Sequence, residues 1–108
     1  MNEDLIARLR AQVGGPRDGA MLRYSLGNAL LAHGDAAAAV AALREALQFD
    51  ARYSAAWKAL GHALARAGDD AAALAAWEQG IGVAQARGDV QAAKEMTVFA
   101  NRLRRAGT

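Results

Sequence analysis

A chain of 108 residues with a net charge of +2 and no cysteine excludes several classes of protein. The length allows one domain with a modest core, the missing cysteine excludes disulfides and thiolate metal sites, and two surplus charges are few for a nucleic-acid-binding surface. Thirty alanines and a single proline favour an all-α fold, because alanine is the best helix former and a poor strand former.

The first predicted helix covers residues 3–13. Its apolar residues recur at helical spacing, and they are Leu5, Ile6, Leu9 and Val13. Asn2 is the expected cap of its first turn. The following Gly14-Gly15-Pro16 segment ends this helix, since glycine accepts a left-handed turn and proline cannot continue the hydrogen-bond ladder.

Five further helices are predicted along the chain, over residues 20–33, 36–49, 55–67, 70–86 and 90–105. Three Gly-Asp pairs, at 34–35, 68–69 and 88–89, separate consecutive helices. In each pair we expect the glycine to end one helix and the aspartate to cap the next. Ser54 is the expected cap of the helix that begins at residue 55.

The chain contains an internal repeat. Residues 26–42 and 60–76 lie 34 positions apart and are identical at 11 of 17 positions. Six of the identities are alanines, but the others include a Leu-Gly pair and a Gly-Asp pair at the same place in both copies. A period of 34 residues is typical of stacked helical hairpins. Arrays of this kind mostly bind other proteins.

The repeated residues resemble the tetratricopeptide repeat, a 34-residue helix–turn–helix unit. In the second repeat, residues 54–87, the family pattern is matched by Trp57, Leu60, Gly61, Ala73 and Trp77. In the first repeat, residues 20–53, it is matched by Leu26, Gly27, Ala39, Leu43 and Ala46.

Several positions depart from the family pattern. In the first repeat the usual Trp, Tyr and Pro are replaced by Arg23, Leu30 and Ala51. In the second repeat the usual Tyr, second Ala and Pro are replaced by Leu64, Gly80 and Gln85. Without that proline, we expect the fifth helix to run about one turn longer than usual.

The resemblance implies an all-α, right-handed superhelix of about six antiparallel helices, as in a small bacterial protein of this family. Residues 1–108 would form a single domain. In it the helix at 3–13 and the capping helix at 89–105 would flank the two repeats as half copies.

The resemblance also implies a concave groove, which the first helices of successive repeats line and which accepts a peptide or a helix of a partner. Carried over by repeat position, the groove residues are Tyr24, Asn28, Leu31, Lys58, His62, Arg66, Lys94, Asn101 and Arg102. The set includes four cations and no acid, which is compatible with an acidic partner. Simple solvation of these exposed cations is the alternative.

No catalytic, cofactor-binding or metal-binding residues are predicted. The two histidines are 29 residues apart, which is not a metal-ligand spacing. The Gly-x-Gly at 80–82 lies inside a predicted helix, whereas a nucleotide loop follows a strand. The longest apolar run, residues 36–43, is far below the ~20 needed to span a membrane. We therefore expect a cytoplasmic protein that is not an enzyme and binds neither nucleic acid nor membrane.

The functional prediction is a protein–protein interaction scaffold that binds a peptide or helix of a partner in its concave groove. The alternative is a self-associating adaptor that forms a homodimer through the C-terminal helix, where Phe99 lies beside Val98. The sequence is compatible with a monomer or a weak homodimer.

Overall fold

The described residues, 2–107 without the side chain of Asn2, form six helices and no strand in a computed structural model of the chain. The helices are α1 (Asn2–Ala11), α2 (Ala20–Ala32), α3 (Ala36–Phe49), α4 (Ser54–Arg66), α5 (Asp70–Arg87) and α6 (Val90–Ala106). The predicted all-α fold is confirmed. The proposed cap by the side chain of Asn2 lies outside the described residues.

The Gly-Asp turns have the expected chemistry. A positive φ of 92°, 87° and 75° is found at Gly34, Gly68 and Gly88. The aspartates that follow accept a hydrogen bond from the backbone N–H three residues on, over 3.1, 3.1 and 3.2 Å at Asp35, Asp69 and Asp89. Each turn therefore closes one helix with a left-handed glycine and opens the next with a side-chain cap.

The first helix differs from its prediction. It ends at Ala11, because Gln12 and Val13 make tighter bonds to carbonyls three residues back and Gly14 then takes a φ of 81°. Its buried residue is Ile6, which is 5% exposed, whereas Leu5 and Val13 are each 40% exposed. The face of α1 that meets α2 therefore centres on Ile6.

Ser54 does not cap α4. It is the first residue of that helix, and the N-cap position belongs to Tyr53, which makes no side-chain capping bond. The Ser54 hydroxyl is buried and instead donates to Oδ2 of Asp89 over 3.2 Å, while Oδ1 of the same carboxylate caps α6. This bond links the start of the second hairpin to the start of the last helix.

The helices pack in chain order as antiparallel neighbours, with α2 on α3 and α4 on α5 as two hairpins, α1 on α2, and α6 on both α4 and α5. The mid-helix glycines allow close packing. A Cβ would overlap the side chain of Leu43 at Gly27, Trp77 at Gly61, and Met96 and Trp57 at Gly80. The 18-residue α5 is four residues longer than α3, although both repeats lack the family proline.

Arg23, which stands at the tryptophan position of the first repeat, forms a partly buried ionic cluster. Its guanidinium donates to both oxygens of Asp18 over 2.8 Å each and to the carboxylate of Glu45. Asp18 also accepts the backbone N–H groups of Gly14 and Gly19 over 2.8 and 2.9 Å. These four donors hold the pKa of Asp18 well below its ordinary value, with the Arg23 hydrogen bonds as the main cause. The cluster fixes the connection between α1 and α2.

Candidate functional site

A cleft of about 430 Å³ lies between α2 and α4. We call it the α2–α4 groove, and it is lined by Tyr24, Asn28 and Leu31 of α2 and by Ala55, Lys58, Ala59, His62, Ala65 and Arg66 of α4. On each helix these residues are three or four positions apart, so they share one face while the opposite face is buried. The 34-residue repeat places equivalent faces side by side.

Six of the nine predicted groove residues lie in this cleft: Tyr24, Asn28, Leu31, Lys58, His62 and Arg66. Arg102 lines a neighbouring depression that shares His62 with the groove. Arg102 is therefore close to the six, at the C-terminal end of the groove.

Lys94 and Asn101 are not brought to the α2–α4 groove. Lys94 lines a separate depression with Val90 and Val98, and Asn101 is exposed and accepts a hydrogen bond from Arg104. The side of α6 that meets α4 carries Glu95 instead, and successive residues of a helix point about 100° apart. The expectation for these two residues is corrected accordingly.

His62 lies in an aromatic cluster. Its ring is 4.4 Å from that of Phe99 and 5.3 Å from that of Trp77, measured between centroids. Burial against these rings lowers the pKa of His62, and the nearby charges of Lys58 and Arg66 lower it further. At neutral pH His62 is therefore an uncharged imidazole, with one donor and one acceptor nitrogen.

Phe99 was expected as a possible dimer contact, but it is partly buried between His62 and Trp77. It closes the C-terminal end of the groove from α6. Its role in the groove was missed because no repeat copy exists to align α6 with α4 in that position.

The N-terminal end of the groove has a second aromatic contact. The rings of Tyr24 and Tyr53 lie 4.9 Å apart between centroids. Burial raises the pKa of Tyr53, with smaller contributions from Tyr24 and Asp50, so its hydroxyl remains protonated at neutral pH. Tyr53 precedes α4 and supports the ring of Tyr24, a contact that helix periodicity does not predict.

An acid of α6 pairs with a lysine of the groove, which corrects the expectation of an entirely cationic surface. The ammonium of Lys58 lies 3.2 Å from the Glu95 carboxylate. Within residues 2–107, by contrast, no ion pair is found for Arg66. Arg66 and Arg102 therefore carry the positive charge that is available to a ligand.

Across the described part of the chain, no group of three histidine, cysteine or acidic side chains is placed to hold a metal ion. Over the same residues, none of the helices combines the length and apolar character needed to cross a membrane. The arrangement around the groove offers hydrogen bonds, aromatic contacts and charge, which are the chemistry of binding.

The comparison with known sequences decides the family. The chain is 50% identical over 91 residues to TPR repeat-containing protein PA0015 of Pseudomonas aeruginosa, and the match covers 84% of this chain and 87% of that protein. The chain belongs to the tetratricopeptide repeat family. No family model matches it.

Solved structures agree with this tetratricopeptide repeat assignment. The solution structure of protein BPP2914 from Bordetella parapertussis is 46% identical with a TM-score of 0.82, over 94% of this chain and 88% of that one. The crystal structure of a tetratricopeptide repeat domain protein from Salinibacter ruber is 25% identical with a TM-score of 0.74, over 81% of this chain and 97% of that one. Tetratricopeptide repeat proteins are in general scaffolds for protein–protein interaction and typically not enzymes.

Proposed function

We propose that this protein is an interaction scaffold that binds an extended segment or a helix of a partner protein in the α2–α4 groove. The observation that supports the proposal is the set of polar groups in that cleft. Asn28, His62 and Arg66 surround an apolar surface that includes Leu31, and all of them project from packed helices. Few groups on the protein side need to be ordered on binding, so most of the ordering cost lies with the ligand.

Each polar group suits a particular part of a peptide. The Asn28 amide can donate to and accept from a peptide backbone, as can the neutral imidazole of His62. Arg66 can pair with an acidic side chain or a terminal carboxylate through its planar fork of donors. A preference for acidic residues therefore depends on Arg66, and on Arg102 in the neighbouring depression, more than on Lys58, which already pairs with Glu95.

The experiment is a selection of binding peptides from a random library on the immobilised protein, followed by calorimetric titration of the selected peptides. Groove variants Asn28→Ala and Arg66→Glu should weaken binding by roughly tenfold or more, the effect of losing a central contact. A charge change outside the groove, Arg44→Glu on α3, should leave affinity unchanged. Equal affinity of the groove variants and the wild type would reject the proposal.

A second candidate function is self-association through the outer side of α6. Val90 and Val98 are 61% and 43% exposed there, which favours a contact between two copies. Sedimentation at ~100 μM tests it, because a dimer of functional strength associates well below that concentration. A monomer at that concentration would end this alternative, and Val98→Glu should dissociate any dimer that is found.

A further inference from the structure

A second cleft, of about 460 Å³, lies on the side of α4 that faces away from His62 and Arg66. We call it the α3–α5 cleft, because α3 and α5 form its walls and α4 forms its floor. Both walls pack on α4, and within residues 2–107 no Cα atom of α3 lies within 8 Å of a Cα atom of α5. The two helices therefore leave an open channel between them.

Two of the residues that line this cleft are smaller than the residues of the family pattern at the same positions. Leu64 and Ala51 stand at positions where the family pattern has Tyr and Pro, and α5 contributes Ala72 and Ala75. Trp57 is half-buried at the edge of the floor, and its indole N–H donates to the carbonyl of Ala51 over 2.9 Å, a bond that an inward rotation of the ring would break. Two of this chain's departures from the family pattern, Leu64 and Ala51, therefore line the cleft.

The surface of the cleft is apolar with a polar rim. Its floor is formed by the buried side chains of Leu60 and Leu64 together with Trp57. No acid lines it, and the exposed side chain of Arg44 is its one cation. Within the described part of the chain, Arg44 forms no ion pair.

We infer that the α3–α5 cleft is a binding site for a small amphiphilic anion, whose apolar body packs on Leu60, Leu64 and Trp57 while its carboxylate or similar head group pairs with Arg44. The volume falls in the roughly 300–1,000 Å³ range of small-molecule sites, which are mostly apolar with a few placed polar groups. The single unpaired cation at the rim selects a negative head group. This site is independent of the α2–α4 groove, because the two lie on different faces of α4.

The test uses three ligands that share one apolar chain and differ in charge: octanoate, octanol and octylamine. Each is titrated into the isotopically labelled protein, and the indole N–H signals of the two tryptophans are followed by NMR. Trp57 lines the cleft, while Trp77 is buried and its indole N–H donates to the carbonyl of Lys58. We expect the Trp57 signal to shift and the Trp77 signal to stay, with affinity highest for octanoate and lowest for octylamine.

Matched variants separate the contribution of the head group to affinity from that of the apolar chain. Arg44→Gln should weaken the binding of octanoate by about threefold to fivefold, which is the scale of an exposed ion pair. The affinity for octanol should stay unchanged. Ala75 is an exposed residue on the α5 wall, so Ala75→Leu narrows the cleft. This variant should weaken the binding of all three ligands by roughly tenfold. Ala71→Leu, on the same helix but outside the cleft, and Arg66→Glu, in the groove, should leave octanoate binding unchanged.

Three results would overturn the inference. One is the absence of any Trp57 shift at up to about 10 mM octanoate, since a ligand of this size in a fitting site should bind near the millimolar range. Another is a shift that Ala75→Leu does not weaken. The third is equal affinity for octanoate and octylamine, which would contradict the anionic head group.

Discussion

Trp77 fills the space that the missing side chain of Gly61 leaves open, and its indole N–H donates to the carbonyl of Lys58 over 3.1 Å. A methyl group at position 61 would overlap the indole ring. Gly61→Ala should therefore lower the free energy of unfolding by about 1–3 kcal/mol, as overpacking of a filled core does. Chemical denaturation measures the change.

Gly82→Ala is the matched control. Gly82 also lies inside a helix, but a Cβ there meets no atom within 4 Å. This variant should raise the free energy of unfolding by about 0.5–1 kcal/mol, because alanine is the better helix former. Equal effects of the two substitutions would show that helix propensity, and not the contact with Trp77, determines the result at position 61.

Asp18 predicts a sensitivity to acid. Its hydrogen bonds with Arg23 lower the pKa of its carboxyl from the ordinary 3.8, so its stabilising contribution is complete above that pH and is lost as the pH falls towards the lowered value. Asp18→Asn should lower the melting temperature at pH 7, and the difference from the wild type should shrink below about pH 4. Thermal melts at both pH values measure it.

Asp70→Asn provides the control for Asp18, since Asp70 is an exposed acid in the first turn of α5. If amide hydrogen exchange at Gly14 and Gly19 is faster in Asp18→Asn but not in Asp70→Asn, the loss of stability lies in the α1–α2 connection. Both N–H groups donate to Asp18 there. A melting difference that stays constant down to low pH would contradict the role of the carboxylate charge.

His62 predicts a loss of stability in weak acid. Burial lowers its pKa from the ordinary 6.5 in the folded protein, so the unfolded chain binds the proton more readily. The free energy of unfolding should therefore fall as the pH decreases through 6.5 towards the lowered value. His62→Asn, which copies the residue of the first repeat, should remove this slope. Urea denaturation between pH 7 and about pH 5 gives the comparison, and an unchanged slope in the variant would refute this explanation.

Breaking the ion pair of Lys58 and Glu95 should raise the affinity of the groove for an acidic peptide. Glu95→Gln should free the ammonium of Lys58 and strengthen the binding of a selected acidic peptide by about twofold to fivefold at low salt. Glu78→Gln removes the same charge from a pair with Arg104 on another part of the surface and serves as the control. High salt should abolish the gain. No gain at low salt would mean that Lys58 does not face the ligand.

The repeat made most of the fold predictable. Because residues 26–42 recur at 60–76, the faces of α2 and α4 could be aligned, and six groove residues were placed together from sequence. The helix ends were predictable because Gly and Asp have local conformational and hydrogen-bonding preferences. These signals all act within one helix or one turn.

What the sequence did not predict depends on contacts between distant segments. Glu95 reaches Lys58 across 37 residues, and Ser54 reaches Asp89 across 35. The orientation of α6 has no second copy to fix it, so Lys94 was assigned to the groove in place of Glu95. The α3–α5 cleft likewise depends on how far apart α3 and α5 lie where both pack on α4.

The most direct test of the central claim is NMR mapping of a library-selected peptide on the labelled protein. The account predicts that the largest chemical-shift changes of backbone amides fall at Tyr24, Asn28, His62 and Arg66. It also predicts intermolecular nuclear Overhauser effects between the peptide and the ring of Tyr24. Unmoved signals at these four residues, with shifts confined to the outer side of α6 or to the α3–α5 cleft, would contradict it.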